Sequence, residues 1–343
     1  MRVAIVYNKP SPSRYDAVGE GKEVLSVLHA VSAVHRALLK LGHDSIIVPL
    51  EPPLQQARRK LSSLNTDLVF NLFEGFCGCP ETEAMIPEIL SDLEIPCTGC
   101  PGIMLRLALD KAKVKVLLKA EGILTPDFQL LTPRTLDMFR LNYPCIVKPR
   151  GEDASHGISR ESVVSTVSSL EKQVAVISNT YSKGAMVEEF IDGREFNATV
   201  WDNSRYTTLP VSEIVYSLPV ELPRILTFAS KWEPDSLYFQ GTRAICPAEI
   251  EAEVQKCLSD TAMAAYNLLG GQGYARVDMR LNKDGQPIVI EVNPNPDISP
   301  ESGAVRQVTA AGMSYAQFID EIIRLALEDN YLESKDPQYA ERR

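Results

Sequence analysis

The segment IVIEVNPNPDIS, residues 288–299, restricts the fold of this chain more than any other. Aliphatic residues fill its first half and predict a buried strand, which carries Glu291 and Asn293 two residues apart. Pro294 and Pro296 end that strand, because proline cannot donate to a β ladder. A strand that stops at an acid, an amide and two prolines indicates backbone that leaves the sheet to turn around a ligand.

The preceding residues predict the other half of a hairpin. Asp284-Gly285 is typical of a two-residue type I′ turn, which would pair Lys283 with Gln286. Side chains alternate between the two faces of a strand. This register therefore places one polar set on a single face, in the pairs Asp278 with Glu291 and Arg276 with Asn293. The opposite face carries Val277, Met279, Ile290 and Val292.

Two directly opposed carboxylates repel each other unless a cation lies between them. With an adjacent amide oxygen they form an all-oxygen ligand set, which suits Mg²⁺ or Mn²⁺ rather than zinc. A Mg²⁺ ion in such a site commonly binds substrate phosphates as well. A solvated charged face is the alternative interpretation, and a register slip of one residue would distribute the set over both faces.

Composition excludes some classes of protein. The formal charge of −10 and the pI near 5.1 argue against a nucleic-acid-binding surface. No signal peptide and no apolar run of about 18 residues is visible, so a cytoplasmic protein without a membrane segment is expected. The spacings Cys77/Cys79 and Cys97/Cys100 could form a four-thiolate zinc site, but ordinary buried or loop thiols are the favoured interpretation.

Strands and helices alternate in the first hundred residues, which predicts a parallel sheet of the βαβ type. Later segments predict a helix at Leu107–Glu121, two strands around a glycine turn at 185–201, an irregular proline-rich stretch at 202–247 and a helix at 248–269. Strands are predicted at 2–7, 42–50 and 67–75, and further helices at 24–41, 83–93 and 315–327.

Several motifs occur in an order that resembles the ATP-grasp superfamily, in particular the D-alanine–D-alanine ligase branch. They are TGCPGIMLRLALDKAKVK, CIVKPRGEDASHG, VEEFIDGREF, GYARVDMRL followed by IEVNPNP, and AAGMSYAQFI. The resemblance implies an α/β, ATP-grasp architecture, with an N-terminal Rossmann-like parallel sheet and two α+β units that sandwich ATP. The implied boundaries are 1–106 for the N-terminal domain, 107–191 for the central subdomain, 192–330 for the C-terminal subdomain and 331–343 for a mobile tail.

The resemblance also implies roles for individual residues in nucleotide binding. RGEDASHG, residues 150–157 and here named the phosphate loop, would cover the β and γ phosphates. Lys111 and Lys148 would bind the α and β phosphates, and Lys231 the γ phosphate. Glu188 and the backbone at Glu189 and Ile191 would hold adenine, and Glu195 the ribose. Two Mg²⁺ ions, for which Mn²⁺ could substitute, would be bound by Asp278, Glu291 and Asn293.

On the substrate side, the resemblance implies that Glu23 binds an ammonium group, that Ser302 binds the acceptor's carboxylate and that Arg276 stabilises developing charge. Two positions depart from the family. Asp297 stands where these ligases usually have glycine, so it could contact the acceptor. In the phosphate loop Ala154 replaces a serine that orients the first substrate, although the neighbouring Ser155 is retained.

The implied activity is ATP-dependent ligation of a carboxylate and an amine through an acyl phosphate. The implied substrates are amino-acid-like, and D-alanine is the leading choice for both. The alternatives are other amino-acid pairs, a biosynthetic amide, a carboxylate kinase or carboxylase that stops at the acyl phosphate, and a non-catalytic nucleotide-binding protein. A homodimer is implied by the resemblance alone.

Overall fold

Three separate β-sheets follow one another along the chain in the computed structural model, which describes residues 1–20, 26–181, 183–203 and 206–335. The first is parallel, as the sequence predicts, and has the order β2-β1-β3. Its strands are β1 (Arg2–Asn8), β2 (Asp44–Leu50) and β3 (Leu68–Leu72), with the helices α1 (Ser26–Lys40) and α2 (Leu54–Ser62) between them. Every residue of β3 is buried, which explains its unbroken apolar sequence.

Three helices lead from this sheet to the next: α3 (Met85–Asp92), α4 (Gly102–Leu109) and α5 (Lys111–Ala120). The single helix predicted at 107–121 is wrong, because the chain breaks at Asp110. The Asp110 carboxylate accepts the N–H of Lys113 at 3.3 Å, which caps α5, and pairs with Arg150 at 2.6 Å. The break places Lys111 in the first position of α5.

The second sheet is antiparallel, with the order β4-β7-β5-β6. Its strands are β4 (Phe128–Leu131), β5 (Cys145–Pro149), β6 (Val163–Val164) and β7 (Ala185–Glu189), and α6 (Val167–Thr180) packs on it. The phosphate loop follows β5 directly, so the end of β5 fixes where that loop begins.

The third sheet is also antiparallel, with β9 beside β8 and the order β11-β10-β8-β12-β13. The irregular stretch predicted at 202–247 is wrong, because much of it forms regular elements. The sheet contains β8 (Glu195–Asn203), β9 (Tyr206–Thr208), β10 (Ser212–Tyr216), β11 (Thr242–Ile245), β12 (Tyr274–Leu281) and β13 (Pro287–Asn293). Its helices are α7 (Phe228–Trp232), α8 (Leu237–Gln240) and α9 (Ala252–Leu268).

The two strands predicted around a glycine turn at 185–201 exist, but they belong to different sheets. The chain crosses from β7 to β8 at residues 190–194, where Gly193 lies against β12. A Cβ at Gly193 would lie 1.7 Å from the carbonyl oxygen of Leu281, so only glycine fits there.

In the hairpin of β12 and β13 the predicted pairs form at the end that carries Arg276 and Asn293. The turn at the other end differs from the predicted one. Asn282 N–H donates to the carbonyl of Gln286 at 3.0 Å, and the loop has three residues, of which only Gly285 has a positive φ. The predicted type I′ turn is therefore wrong. A bulge at Ile290 compensates for the extra loop residue, so that Asp278 still lies opposite Glu291.

The chain closes with α10 (Gly303–Ala310) and α11 (Tyr315–Lys335). Helix α11 packs against α1, and their apolar faces share a core with Trp201 and Tyr274. Among the described residues, no helix combines the length and apolar character needed to cross a membrane. Short 3₁₀ helices cover Arg14–Val18, Pro80–Thr82, Leu136–Met138 and Arg160–Ser162.

Candidate active site

A cavity of about 820 Å³ collects polar side chains from all three sheets. The hairpin of β12 and β13 forms one wall. Along it the predicted polar set shares one face, because Arg276 lies opposite Asn293 and Asp278 opposite Glu291. The geometry on which the sequence interpretation depends is present.

Each acid of this set is neutralised by a protein cation. Arg276 donates to both carboxylate oxygens of Asp278, at 2.7 and 2.8 Å. Lys111 Nζ lies 2.7 Å from Glu291 and 3.2 Å from Asp153. Burial alone would raise the pKa of Glu291, but Lys111 and Lys148 lower it to about 2. The Glu291 carboxylate is therefore held in its anionic form by the lysines beside it.

The donor set fits a hard divalent cation. Two carboxylates and the amide oxygen of Asn293 share the face, and that oxygen also accepts the Asn295 N–H at 3.2 Å. Within the described ranges, no cluster of three or more His, Cys, Asp or Glu side chains is arranged to hold a metal ion. The zinc alternative at Cys77, Cys79, Cys97 and Cys100 thus has no support in the described ranges, and the Cys100 thiol donates to the carbonyl of Gln272 instead.

A buried carboxylate shared by two lysines forms another part of the cavity. Glu188 is 1% exposed, and its Oε1 lies 3.0 Å from Lys148 and 3.2 Å from Lys115. Sequence reasoning missed Lys115, although it lies one helical turn after Lys111 on α5. Lys115 also donates to Thr125 Oγ1 at 2.9 Å, and burial lowers its pKa to about 8.

The remaining residues predicted around the nucleoside also line the cavity. The Glu189 N–H donates to the carbonyl of Asp127, and the Ile191 carbonyl accepts from Arg280. Glu195 accepts from Tyr216 at 2.7 Å and pairs with Arg280, so one of its oxygens is engaged within the protein. A contact of Glu195 with ribose stays a prediction.

The phosphate loop contains residues in an uncommon left-handed backbone conformation. Ala154 and Ser155 both have positive φ angles, 52° and 63°, and Gly157 follows at 70°. Non-glycine residues in this conformation are strained by about 1 kcal/mol or more, and such strain concentrates at functional sites. The His156 N–H donates to the Asp153 carbonyl at 3.0 Å, so Ala154 and Ser155 form the centre of a tight turn.

The other predicted site residues differ in how clearly they are placed. Lys231 lines the cavity near Arg276 and Asp278, and burial lowers its pKa. Ser302 is 7% exposed and caps α10 through the Val305 N–H at 3.3 Å. Asp297 faces the cavity, but both its oxygens accept from Ser299, at 2.7 Å each. The predicted ammonium ligand Glu23 lies outside the described residues.

No sequence pattern indicates the contact that the structure shows between the first sheet's loops and the hairpin. Glu83 accepts from the side-chain amide of Asn295, which also donates to the carbonyl of Phe73 at 3.3 Å. Burial and the nearby Asp153 raise the pKa of Glu83 to about 8. A carboxyl group with a raised pKa therefore lines the cavity.

Comparisons with known proteins identify the family of this chain. The model of the family described as "D-ala D-ala ligase C-terminus" matches residues 117–324. An uncharacterised protein of Sinorhizobium fredii, y4sG, is 32% identical over 95% of this chain and 97% of its own length. A D-alanine–D-alanine ligase of Cupriavidus pinatubonensis is 28% identical over 96% of this chain and 92% of its own.

Solved structures show the same fold. The structure of a D-alanine–D-alanine ligase from Bacillus anthracis complexed with ATP superposes with a TM-score of 0.72 at 22% identity, over 97% of this chain and 99% of that one. The fold and the site thus define an ATP-grasp enzyme, an ATP-dependent ligase that forms C–N bonds. Within that class, the chain belongs to the D-alanine–D-alanine ligase family.

Proposed function

We propose that this protein joins two amino acids in a Mg²⁺-dependent reaction that consumes ATP, with D-alanine as the first choice for both substrates. One observation carries the proposal: Asp278, Glu291 and Asn293 share a cavity wall with Arg276, and Lys111 crosses that cavity to reach Glu291. Such a concentration of opposite charges suits the triphosphate of ATP and the metal ions that accompany it.

In this proposal the nucleotide lies between the second and third sheets. Glu188 accepts from the adenine amino group, with the backbone at Glu189 and Ile191 completing the contact and Glu195 reaching the ribose. Lys111 and Lys148 bind the α and β phosphates, while Lys231 and the phosphate loop bind the γ phosphate. The support is that all these groups line the one cavity.

Asp278, Glu291 and Asn293 would hold two Mg²⁺ ions, or Mn²⁺ in their place. Bound there, the ions would neutralise phosphate oxygens during transfer. Arg276 and Lys111 would then be released from the two acids and turn to phosphate oxygens. The chain's own cations therefore hold the acids in position before the ligand arrives.

The chemistry follows from the need for a leaving group. A carboxylate oxygen of the first amino acid attacks the γ phosphorus of ATP, which gives an acyl phosphate and ADP. The free amine of the second amino acid attacks the acyl carbon, the bond from that carbon to the phosphate oxygen breaks, and the departing phosphate takes up the proton that the amine loses as the amide forms. Arg276 stabilises charge on the transferring phosphoryl group or on the tetrahedral oxyanion, and the phosphate loop, which covers the γ phosphate, excludes water from the acyl phosphate.

The amino acids would face the first sheet. Ser302, at the N-terminus of α10, suits the acceptor's carboxylate, because helix N-termini favour anions. Ser155 would orient the first substrate and Glu23 would bind its ammonium group. Asp297 adds a carboxylate beside the acceptor and could alter the choice of amine.

The proposed organisation is three units, residues 1–106, 107–191 and 192–330, with one sheet in each, followed by a tail at 331–343, of which the first residues to Lys335 belong to α11. A homodimer in the cytoplasm completes the proposal. Sedimentation equilibrium measures the dimer directly, and a mass of one chain at micromolar concentration would exclude it.

The deciding experiment is a phosphate-release screen over pairs of D- and L-amino acids with ATP and Mg²⁺, with mass spectrometry of the product. We expect phosphate release that requires both an amino acid with a free carboxylate and an amine, and a dipeptide of matching mass. Release that depends on the carboxylate alone and is unaffected by amines would replace the ligase with a carboxylate kinase.

The acceptor is tested separately with Asp297→Gly. If the side chain contributes to the choice of amine, the ratio of kcat/KM for D-alanine and for a second amine changes in the variant. An unchanged ratio would limit Asp297 to its turn with Ser299.

A further inference from the structure

The phosphate loop is held by a segment of the first sheet's unit that has no counterpart in the motifs above. Residues 13–20, here named the clamp segment, follow β1 and include the 3₁₀ helix Arg14–Val18. That helix is fixed locally, because Ser13 and Asp16 form a reciprocal capping box. The clamp segment is therefore a shaped surface and not a loose connection.

The first set of contacts fixes Glu152 at the start of the phosphate loop. Its side chain is 4% exposed. Tyr15 donates its hydroxyl to Glu152 at 2.6 Å, and Arg14 Nη2 donates to both carboxylate oxygens at 2.7 Å. Hydrogen bonds to a buried charged acceptor are among the stronger ones in proteins. Both donors lie about 138 residues away in sequence and come from a different sheet's unit.

The second set fixes the other end of the phosphate loop. The Tyr15 ring stacks on His156, with centroids 3.7 Å apart and planes at 7°. His156 Nδ1 lies 2.8 Å from Glu20, which also accepts the backbone N–H of Gly157 at 3.2 Å and the hydroxyl of Tyr181 at 3.1 Å. The contacts at Glu152 and at His156–Gly157 enclose the left-handed residues 154 and 155.

The Tyr15 ring also packs against the backbone of Gly78. A Cβ at Gly78, which has a φ of 71°, would lie 2.9 Å from the Tyr15 ring. The ring is therefore in close contact with both the Gly78 backbone and the His156 imidazole. A side chain so confined has few alternative rotamers, so it transmits the position of the first unit to the phosphate loop.

We infer that Tyr15 is a positioning residue that, with Arg14 and Glu20, keeps the phosphate loop in its nucleotide-binding shape. The inference rests on the proposed function, since it assumes that the loop binds the β and γ phosphates of ATP. Without the clamp segment the two strained residues relax, and only a fraction of molecules has a competent loop. The apparent Kd for ATP rises by the inverse of that fraction.

The test is calorimetric titration of the full chain with a non-hydrolysable ATP analogue and with AMP, each with Mg²⁺. Tyr15→Phe removes one hydroxyl and keeps the stack, and we expect its Kd for the analogue to rise about tenfold. Tyr15→Leu removes both contacts and has a larger effect. The Kd for AMP, which lacks the β and γ phosphates, stays within about twofold of the wild-type value.

Two comparisons separate positioning from loss of stability. Glu152→Gln keeps an acceptor for Tyr15 and retains most of the affinity that Glu152→Ala loses. Tyr266→Phe is the matched control. Tyr266 lies on α9, outside the cavity lining, and its buried hydroxyl donates to the Gly273 carbonyl at 3.2 Å. It lowers stability as Tyr15→Phe does and leaves the affinity for the analogue unchanged.

The outcomes are distinct. If Tyr15→Phe binds the analogue as the wild type does, or loses affinity for AMP equally, the positioning role is overturned while the proposed ligase function stands. If the wild type takes up neither nucleotide, both proposals fail. Should Tyr15→Leu not fold, Tyr15→Phe alone decides the question, because it deletes a single oxygen atom.

Discussion

Lys111 Nζ lies 2.7 Å from the Glu291 carboxylate, and both residues line the cavity. Lys111 begins α5 and Glu291 lies near the end of β13, so the pair joins two elements about 180 residues apart. The contact raises the pKa of Lys111 and lowers that of Glu291. It holds both groups charged and oriented before any ligand is bound.

Removing the charge of Glu291 should therefore abolish catalysis without unfolding the protein. We expect Glu291→Gln to lower kcat by about 100-fold or more, because the proposed metal ion that neutralises the transferring phosphoryl group would lose a carboxylate ligand. Steady-state phosphate release measures this. The control is Asp284→Asn, in the exposed loop of the same hairpin, which should keep wild-type rates. Equal rates for Glu291→Gln and the wild type would contradict the assignment.

Substitution of Lys115, which is not part of the cavity lining, should lower the affinity for the nucleotide. Its ammonium group holds Glu188 together with Lys148, so Lys115→Met leaves that buried carboxylate with one cation. We expect ATP binding to weaken about tenfold and the free energy of unfolding to fall by about 1–3 kcal/mol. Calorimetric titration and urea denaturation measure the two effects.

The matched control for Lys115 lies one turn further along α5. Lys119→Met removes an exposed lysine that pairs with Asp127. Surface ion pairs contribute about 0–1 kcal/mol, so this variant should resemble the wild type in both measurements. If the two variants behave alike, the support that Lys115 gives to Glu188 is not energetically significant.

The raised pKa of Glu83 predicts that the free energy of unfolding depends on pH. Its pKa is raised from an ordinary value of 4.5 to about 8, so between those pH values the folded state binds more protons at this site than the unfolded state. The contribution of Glu83 to the free energy of unfolding is therefore lost as the pH rises through that window, with a slope of at most about 1.4 kcal/mol per pH unit.

The measurement is urea denaturation at pH 5, 6.5 and 8 (about the span of the window) for the wild type and Glu83→Gln. The amide does not titrate, so the difference between the two curves should change with pH. Glu81→Gln, two residues earlier, is the control, because the pKa of Glu81 is lowered and not raised. Parallel curves for the wild type and Glu83→Gln would show that Glu83 is ionised at neutral pH.

The polar face of the hairpin could be predicted because a strand has a period of two and the site lies at its end. The Asp284-Gly285 pair predicts the wrong turn, and strict alternation places Ile290 on the apolar face, whereas Val289 packs there with Val277, Met279 and Val292. Local turn propensity does not reveal a bulge, since a bulge depends on packing against a neighbouring strand. The loop and the bulge each shift the register by one residue, so the two deviations cancel at Glu291.

The contacts that the sequence could not reveal join distant segments. Tyr15 with His156 and Glu83 with Asn295 are more than 130 residues apart, and neither pair belongs to a periodic pattern. Lys115 is different, because its spacing of four from Lys111 places both on one side of α5. Spacing could therefore have indicated it, whereas its burial depends on the second and third sheets closing over it.

Gly193 gives the last prediction, which concerns the crossing from β7 to β8. A Cβ there would lie 1.7 Å from the Leu281 carbonyl oxygen and 2.9 Å from its carbon, both backbone atoms that cannot rotate away. We expect Gly193→Ala to lower the free energy of unfolding by about 4 kcal/mol or more, since either β8 or β12 must move. Denaturant titration of the purified variant, or its failure to accumulate as folded protein, reports this.

Gly303 is the matched control, because an added Cβ would meet nothing nearer than Arg306 and Asn197 at 3.8 Å. Gly303 begins α10, where alanine also favours helix formation. Gly303→Ala should therefore keep or raise the stability by up to about 1 kcal/mol. If Gly193→Ala were as stable as Gly303→Ala, the crossing could not lie against β12. The wall of the cavity formed by β8, β12 and β13 would then need a different arrangement, because Arg280, next to Leu281 on β12, also binds the Ile191 carbonyl of that crossing.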